Sequence, residues 1–241
     1  GGDLVGQWPF EGGEELTDRR GNCPPLLLMG DATVTVGKLK VTGSGTDASG
    51  WAITDSDNGS YQGLPIVDKT LMAWVTMDSL EDGAKAGSAL TLDRVSGDHF
   101  DGIIYAERQA NRFMNGSSGF GRTEDFDPGF EETLTGEPVH IAITYQHVDG
   151  VLQVTGYRNG DAIGQYSKGE SSWDTDDAEA IFGKRHGSTG GGPGAINATI
   201  DEARIYNAAL TADRIKQVFD AGAIVGADRD NDGLPDAWEQ Q

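Results

Sequence analysis

Short apolar runs of strand length recur from the first residues of this chain into its last quarter, and most of them end at Gly, Asp or Asn. They lie at Leu4 to Phe10, Leu26 to Val36, Leu39 to Val41, Leu71 to Met77, Ala89 to Leu92, Gly102 to Ala106, Val139 to Tyr145, Val151 to Tyr157, Ala180 to Phe182 and Ile196 to Tyr206. The 36 glycines supply residues for the tight turns that must separate such runs. The pattern predicts an all-β fold of many short strands.

The run from Val139 to Tyr145 indicates how these strands pack. Its alternate residues are Val, Ile, Ile and Tyr, so one face is apolar, and its other face is only mildly polar. Two such faces suit a sheet that packs on a second sheet. Trp8 and Trp74 lie within equally strong strand patterns, so we expect both of them in the core.

A segment near the C-terminus departs from the strand pattern and predicts one short helix. Thr211 can cap its N-terminus, Gly222 can end it, and an apolar stripe is formed by Ile215, Val218 and Phe219. We expect this helix to pack on the flank of the sheets. A boundary near residue 223 then separates a domain of residues 1–222 from a tail of residues 223–241.

The tail has the residue spacing of a calcium loop. Asp228 stands at the first position, Gly233 at the sharp turn and Glu239 at the closing position. The predicted ligands are the side chains of Asp228, Asp230, Asp232, Asp236 and Glu239 and the backbone carbonyl of Leu234. We therefore expect Ca²⁺ as a cofactor; the alternative is an acidic, solvated tail. The loop resembles the solitary calcium repeats of the thrombospondin type 3 or dockerin kind.

The charge of the chain restricts its partners. Its formal net charge of −21 repels phosphate backbones, which argues against nucleic acid. No apolar run approaches the roughly 18 residues that a membrane span needs, and the single cysteine, Cys23, excludes an internal disulfide. Excess carboxylate fits calcium-rich or salty surroundings. We expect a secreted or cell-surface protein in which this chain adjoins neighbouring domains.

Several segments follow one another in an order that is informative. They are Leu4–Phe10, Thr70–Met77, Pro138–Tyr145 with Gly156–Gly160, and Ile200–Leu210 with Thr211–Ile215. Together they resemble the LamG-like jellyroll of the concanavalin A-like lectin and glucanase superfamily, over about residues 3 to 222. The segments Phe100 to Thr123 and Phe182 to His186 are similar to a subgroup found in large secreted bacterial multidomain proteins. The resemblance implies an all-β, two-sheet antiparallel jellyroll sandwich, and the family includes carbohydrate-binding modules, adhesion modules and spacers.

The resemblance also implies a second calcium site. Many jellyrolls of this superfamily hold a structural calcium where the first strand meets the last, and Asp201 stands in the predicted last strand. By strand alternation its face also carries Thr199, Ala203 and Ile205. A carboxylate on that face should be paired, hydrogen-bonded or bound to a metal. Asp201 with Glu11 or Asp18 is therefore the predicted site, and hydrogen bonds from loop amides to Asp201 are the alternative.

A carbohydrate groove needs aromatic rings that stack on sugar faces and planar or amide groups that bind hydroxyls. The candidates are Tyr105, Arg112, Phe113, Asn115, Phe120 and Arg122, with Trp173, Arg185 and His186. The alternative is that the aromatic rings belong to the core, and that Arg112 or Arg122 only clamps a loop.

The sequence favours binding over catalysis. Hydrolysis of a glycosidic bond needs two carboxylates about 5 to 10 Å apart. Glucanases of the superfamily carry them at alternating positions of one strand, an array that no predicted strand has here, and none of the histidines has the spacing of a zinc site. We assign no catalytic residue. The leading hypothesis is a non-catalytic, calcium-binding and carbohydrate-binding module of a larger secreted bacterial protein. The alternatives are a structural or adhesion spacer whose calcium loop rigidifies the joint to a neighbouring domain, and a divergent glycosidase or polysaccharide lyase.

Overall fold

The computed structural model of the chain describes residues 2–45, 47–80, 86–97, 99–169, 176–187 and 194–223. In this part of the chain the elements are β1 (Leu4–Trp8), β2 (Leu26–Gly30), β3 (Thr33–Thr35), β4 (Lys38–Ser44), β5 (Asp47–Thr54), β6 (Lys69–Met77), β7 (Ser88–Arg94), β8 (Phe100–Tyr105), β9 (Phe113–Ser117), β10 (Pro138–Val148), β11 (Val151–Arg158), β12 (Asp161–Gly169), β13 (Ala178–Phe182), β14 (Ala198–Tyr206) and the helix α1 (Ala212–Ala221). Single 3₁₀ turns lie at Ser56–Asn58 and Ser118–Phe120. Within the described ranges, no helix has the length and apolarity that a membrane crossing requires.

The strands form two antiparallel sheets. Sheet A has the order β12-β11-β10-β6-β14, and the free edge of β14 pairs first with β4 and then with β1. Sheet B has the order β2-β5-β13-β7-β8-β9. Strand β4 belongs to both sheets, because Leu39–Val41 pair with β14 and Thr42–Ser44 pair with β5. The predicted all-β, two-sheet jellyroll with one short C-terminal helix is confirmed.

The inward faces of both sheets form the main core. Its members include Leu71, Val75, Ile141 and Ile143 from sheet A and Leu90, Leu92, Ile103 and Phe182 from sheet B. Trp8 and Phe10 meet the ring of Phe182 edge-on, with ring centroids 5.5 and 5.6 Å apart. Trp8 is therefore a core residue, as its strand pattern predicted.

Helix α1 covers the outer face of sheet A and forms a second apolar layer there. The Thr211 hydroxyl accepts the N–H of Arg214, and the N–H of Gly222 closes the helix on the carbonyls of Val218 and Phe219. Ile215 and Val218 are buried in this layer. They join a cluster with Met72, Trp74, Ala142, Tyr157 and Tyr206. The predicted helix and its flank position are confirmed, and Trp74 is buried beneath it.

A bulge in β14 changes which of its side chains point inward. The register of β14 against β6 shifts between Ile200 and Glu202. Ile200 and Ala203 consequently both lie in the main core, although they are three positions apart. The expectation that Asp201 shares a face with Ala203 and Ile205 is therefore wrong. Beyond the bulge, the buried Glu202 accepts hydrogen bonds from Gln7 Nε2 and Arg204 Nε, both at 2.7 Å.

Candidate functional site

Four of the predicted groove residues lie inside the sandwich. Tyr105, Phe113, Asn115 and Arg122 are buried, and the first two rings pack against each other in the main core with centroids 5.2 Å apart. Because they expose almost no surface, they do not form a groove for a sugar. This corrects the expectation for these four residues in favour of the core alternative.

Arg122 and Asn115 belong to a buried polar network that joins the two sheets. Asp101 accepts Arg122 Nε at 2.7 Å and Lys69 Nζ at 2.8 Å. Burial alone would raise the pKa of Asp101, but the charges of Lys69 and Arg122 outweigh it and lower that pKa. The Tyr145 hydroxyl donates to Asn115 Oδ1 at 2.6 Å. The network fixes how β8 and β9 sit against β6 and β10, which is a structural role.

Arg112 and Phe120 lie on loops at the surface. Arg112 Nη1 donates to the carbonyl of Pro128 at 3.0 Å, and its Nη2 lies 3.9 Å from a carboxylate oxygen of Glu131. Arg112 therefore clamps a loop, as the alternative interpretation had it. Phe120 is 50% exposed in its 3₁₀ turn. Trp173 lies outside the described residues, and its assignment stays a prediction.

Arg185 and His186 lie on the outer face of sheet B, in a segment that crosses β7 and reaches β8. This crossing segment, residues 183–187, is tied down through backbone groups: Ser88 Oγ donates to the carbonyl of Lys184 at 2.9 Å, Thr91 Oγ1 donates to that of Arg185 at 2.7 Å, and the N–H of Gly187 donates to Asp93 Oδ2 at 2.8 Å. The His186 side chain is buried, and the Arg185 side chain is only 11% exposed, so neither offers an open groove. His186 stacks on Phe100 at 4.8 Å, and Arg185 pairs with Glu107.

Beside the crossing segment, four apolar side chains form a block on the same outer face. Leu27 is paired with Ile53, and Met29 is paired with Trp51, in the register of β2 and β5. Alternation places all four outward, because Leu26, Leu28 and Ala52 pack into the main core. Leu27 is 44% exposed, and the other three are partly exposed. Lys184 Nζ lies 4.4 Å from the centroid of the Trp51 ring.

Two carboxylates lie next to this block, at directly opposed positions of adjacent strands. Asp93 of β7 faces Glu179 of β13, and a Cβ added to Gly187 would lie 3.1 Å from an oxygen of each. Burial, followed by the charges of Asp93 and Asp177, raises the pKa of Glu179 from 4.5 to about 7. Burial also lowers the pKa of Lys184, although both carboxylates counteract this. The face therefore combines an aromatic ring, a cation and a covered carboxyl group whose pKa lies near neutrality.

The residues of the predicted second calcium site have separate partners. The Asp18 carboxylate is buried and accepts four backbone N–H groups, from Gln7, Arg20, Asn22 and Cys23, at 2.8 to 3.0 Å. Asp201 is partly exposed, and Lys38 Nζ lies 3.9 Å from it. Among the described residues there is no group of three His, Cys, Asp or Glu side chains placed to hold a metal. Calcium binding at Glu11, Asp18 and Asp201 stays a prediction.

The C-terminal calcium loop cannot be placed in the same way. Its ligands at 228–239 lie outside the described residues. Calcium binding by this loop, and its resemblance to thrombospondin type 3 and dockerin repeats, stay predictions that only a binding measurement tests.

Sequence reasoning missed the residues that surround Arg185 and His186 on this face. Trp51, Phe100 and Lys184 were not among the predicted groove residues. The alternation within β5 contains a usable signal, because Ala52 is a small core residue and Trp51 must then point outward. The opposition of Asp93 and Glu179 depends on strand register, which the sequence does not provide.

Comparison with protein families and solved structures places this architecture among known ones. A family model described as the concanavalin A-like lectin/glucanases superfamily matches residues 45–216. A search of curated proteins found no match.

Three solved structures illustrate the likeness of fold. Domain 4 of AbnA, an extracellular arabinanase from Geobacillus stearothermophilus solved with arabinotriose, superposes with a TM-score of 0.57 at 16% identity and covers 89% of this chain and 97% of that one. The receptor-binding domain of botulinum neurotoxin type G gives 0.59 at 12%, over 90% of this chain and 51% of that one. Trypanosoma rangeli sialidase gives 0.62 at 17%, over 93% of this chain and 34% of that one. At these identities the likeness establishes the fold alone.

Proposed function

The chain belongs to the concanavalin A-like lectin/glucanase superfamily, and from that premise we propose that it is a non-catalytic carbohydrate-binding module of a larger secreted bacterial protein. The observation that carries this proposal is the outer face of sheet B. There the partly exposed Trp51 lies in an apolar block, and Lys184 Nζ lies 4.4 Å from the centroid of its ring. An aromatic ring flanked by a few polar groups is the usual chemistry of a sugar-binding surface.

The solved structures of similar fold support the choice of ligand class. The arabinanase domain was solved with arabinotriose, and the sialidase was also solved with sialic acid. The net charge of −21 would repel an anionic glycan. We therefore propose a neutral glycan as the ligand.

The carboxylate pair raises the competing possibility of a glycosidase. A raised pKa beside a second carboxylate is what a general acid needs. However, Asp93 is fully buried, and its two oxygens accept the N–H groups of Arg94 and Gly187 at 3.0 and 2.8 Å. Glu179 is only 5% exposed. A carboxylate covered in this way has little access to a glycosidic bond, which supports binding rather than hydrolysis.

The test is binding to an array of neutral and sialylated glycans that includes arabinan oligosaccharides. Trp51→Ala should greatly weaken binding at this face, because it removes the ring on which the sugar stacks. Phe120→Ala is the control, since it removes an exposed aromatic ring from the 3₁₀ turn at 118–120, outside this face. Loss of binding in the Phe120 variant alone, or no binding to any glycan, would contradict the proposal. Sugar release by the wild type that Glu179→Gln abolishes would show a hydrolase instead.

We also propose that the tail binds Ca²⁺ through the loop of residues 228–239, which would stiffen the joint to a neighbouring domain. Calorimetric titration of the full chain with Ca²⁺ should give one site that Asp230→Asn and Glu239→Gln together remove. Asp57→Asn and Glu137→Gln, which alter exposed carboxylates elsewhere, form the matched control. Unchanged titration of the tail variant would refute the proposal. If the chain binds calcium but no glycan, the result favours a structural or adhesion spacer.

A further inference from the structure

A groove lies away from the outer face of sheet B, beside the first residues of β10. The loop that precedes β10 and the last residue of β11 enclose a groove of about 210 Å³. Phe130 and Leu134 form its apolar walls, and Val139 lines it from β10. Thr133 and Glu137 add polar groups from the same loop.

One wall of the groove is held rigidly. Arg158 donates through Nε and Nη2 to the two oxygens of Glu132, at 2.7 and 2.9 Å. The same guanidinium lies 3.8 Å from the centroid of the Phe130 ring. Glu132 is itself buried, and its N–H donates to the carbonyl of Asn111 at 2.7 Å. The position of Phe130 is therefore set by an ion pair and a stacked cation.

The other wall is anchored at its far end. The N–H of Gly136 donates to the carbonyl of Met77 at 2.9 Å, which fixes the end of the loop against sheet A. Between these anchors Leu134 remains 60% exposed, and Phe130 remains 41% exposed. Two large apolar side chains thus face water across a preformed gap. Such an arrangement is typical of a binding surface.

The size and charge of the groove select its occupant. Its volume is below the roughly 300 to 1,000 Å³ of pockets that hold drug-sized ligands, so it accommodates about one sugar ring. The charges of Arg158 and Glu132 cancel in their bidentate pair, and Glu137 adds a carboxylate that disfavours an anion. A single exposed carboxylate also gives little affinity for a cation. A neutral pyranose or furanose, with apolar C–H faces and a rim of hydroxyls, matches two apolar walls and a polar rim.

We propose that this groove is a second carbohydrate subsite, which takes one neutral sugar residue between Phe130 and Leu134. The inference rests on the proposed carbohydrate function, and it uses residues that the outer face of sheet B does not share. Arg158 and Glu132 act as positioning residues for the Phe130 wall.

The test is a titration of the full ¹⁵N-labelled chain with methyl β-D-glucopyranoside, methyl β-D-galactopyranoside and methyl α-L-arabinofuranoside. Saturable amide shifts are expected at Phe130, Leu134 and Arg158 with at least one of them. Methyl β-D-glucuronide and glucosamine serve as charged comparators and should shift these amides less. Shifts caused only by a charged sugar, or by none of the sugars, would overturn the assignment.

Two variants connect the shifts to the groove. Leu134→Thr alters an exposed side chain and should weaken the binding about tenfold, the cost of losing one apolar contact. Glu137→Gln should leave neutral-sugar binding in place and reduce the discrimination against the glucuronide. Binding that is unaffected by Leu134→Thr would refute the subsite. Trp51→Ala should leave these shifts unchanged, so the groove and the outer face of sheet B succeed or fail separately.

Discussion

His140 provides a sharp test of how helix α1 is packed on sheet A. Its ring is fully buried between Trp74 and Phe219, with centroid distances of 4.6 and 5.9 Å. Neither ring nitrogen has a hydrogen-bond partner among the described residues. Burial, assisted by the charge of Arg204, lowers the pKa of His140 from 6.5 to about 3. We expect this histidine to make the protein sensitive to mild acid.

The magnitude follows from proton linkage. The folded state stays unprotonated at His140 until about pH 3, whereas the unfolded chain takes up a proton near pH 6.5. Stability from the neutral ring is therefore complete above pH 6.5 and is lost as the pH falls toward 3. Each pH unit in that window costs about 1.4 kcal/mol, so the loss between pH 7.5 and pH 5 is about 2 kcal/mol. A loss of about 2 kcal/mol is expected for any pKa of His140 in the folded state below about 4.5.

The substitution His140→Phe keeps an aromatic ring between Trp74 and Phe219 and removes the titration. Urea unfolding of both proteins at pH 7.5 and pH 5 measures the effect. The variant should be at least as stable as the wild type at pH 7.5, because two unpartnered nitrogens are gone. Its advantage should grow by about 2 kcal/mol at pH 5. An advantage that is the same at both pH values would refute the buried, neutral histidine.

Glu179→Gln is the control, because its effect has the opposite sign in the same pH window. The pKa of Glu179 is raised from 4.5 to about 7, so the folded state loses stability as the pH rises through that range. Removal of the carboxyl group should stabilise the protein at pH 7.5 by about 2 kcal/mol after allowance for solvent screening, and by less at pH 5. If the stability advantages of the two variants change with pH in opposite directions, the effects belong to His140 and Glu179 and not to acid in general.

Five further substitutions, two of them controls, test structural roles by urea unfolding. Asp18→Asn should cost about 2 to 4 kcal/mol with chelator present, because an amide NH₂ would face backbone donors; a cost that appears only with calcium would indicate a metal ligand. Asp101→Asn leaves Lys69 and Arg122 charged and buried, and should cost about 3 to 5 kcal/mol. Asp177 is the comparison, because it is partly exposed and pairs with Arg94 at 2.9 Å. Asp177→Asn should cost less than about 1 kcal/mol, and losses equal to that of Asp101→Asn would contradict the buried network. Thr211→Ala should cost about 1 kcal/mol and Thr211→Ser almost nothing, since only the first removes the cap.

Much of the fold could be predicted from the sequence, because its determinants are local. The alternation from Val139 to Tyr145 and the cap, stripe and glycine of α1 are properties of consecutive residues, and the structure has both elements where they were expected. The bulge at Asp201 was missed, because an extra residue in one strand is visible only against its partner β6.

The candidate site was less predictable, because its residues meet only through strand register and long connections. Tyr105 and Arg122 have the chemistry of a sugar site, but sequence alternation does not say which face of a sheet points outward. Arg185 and His186 were candidates for a sugar groove, but the structure buries His186 against Phe100 and pairs Arg185 with Glu107, two partners from a distant part of the chain. A site assembled in this way requires the tertiary structure.

The place of β14 in sheet A has a consequence for how the chain folds. This strand comes last in the sequence of strands, yet it lies between β6 on one side and β1 and β4 on the other. Its partners are separated from it by more than a hundred residues, so the centre of sheet A cannot close until residues 198–206 have been synthesised. Closing such long loops makes folding slow. Until then, the edges of β1 and β6 that pair with β14 stay open. The growing chain is therefore exposed to wrong strand pairing, and to a need for chaperones, for longer than a protein whose strands pair with their neighbours in sequence.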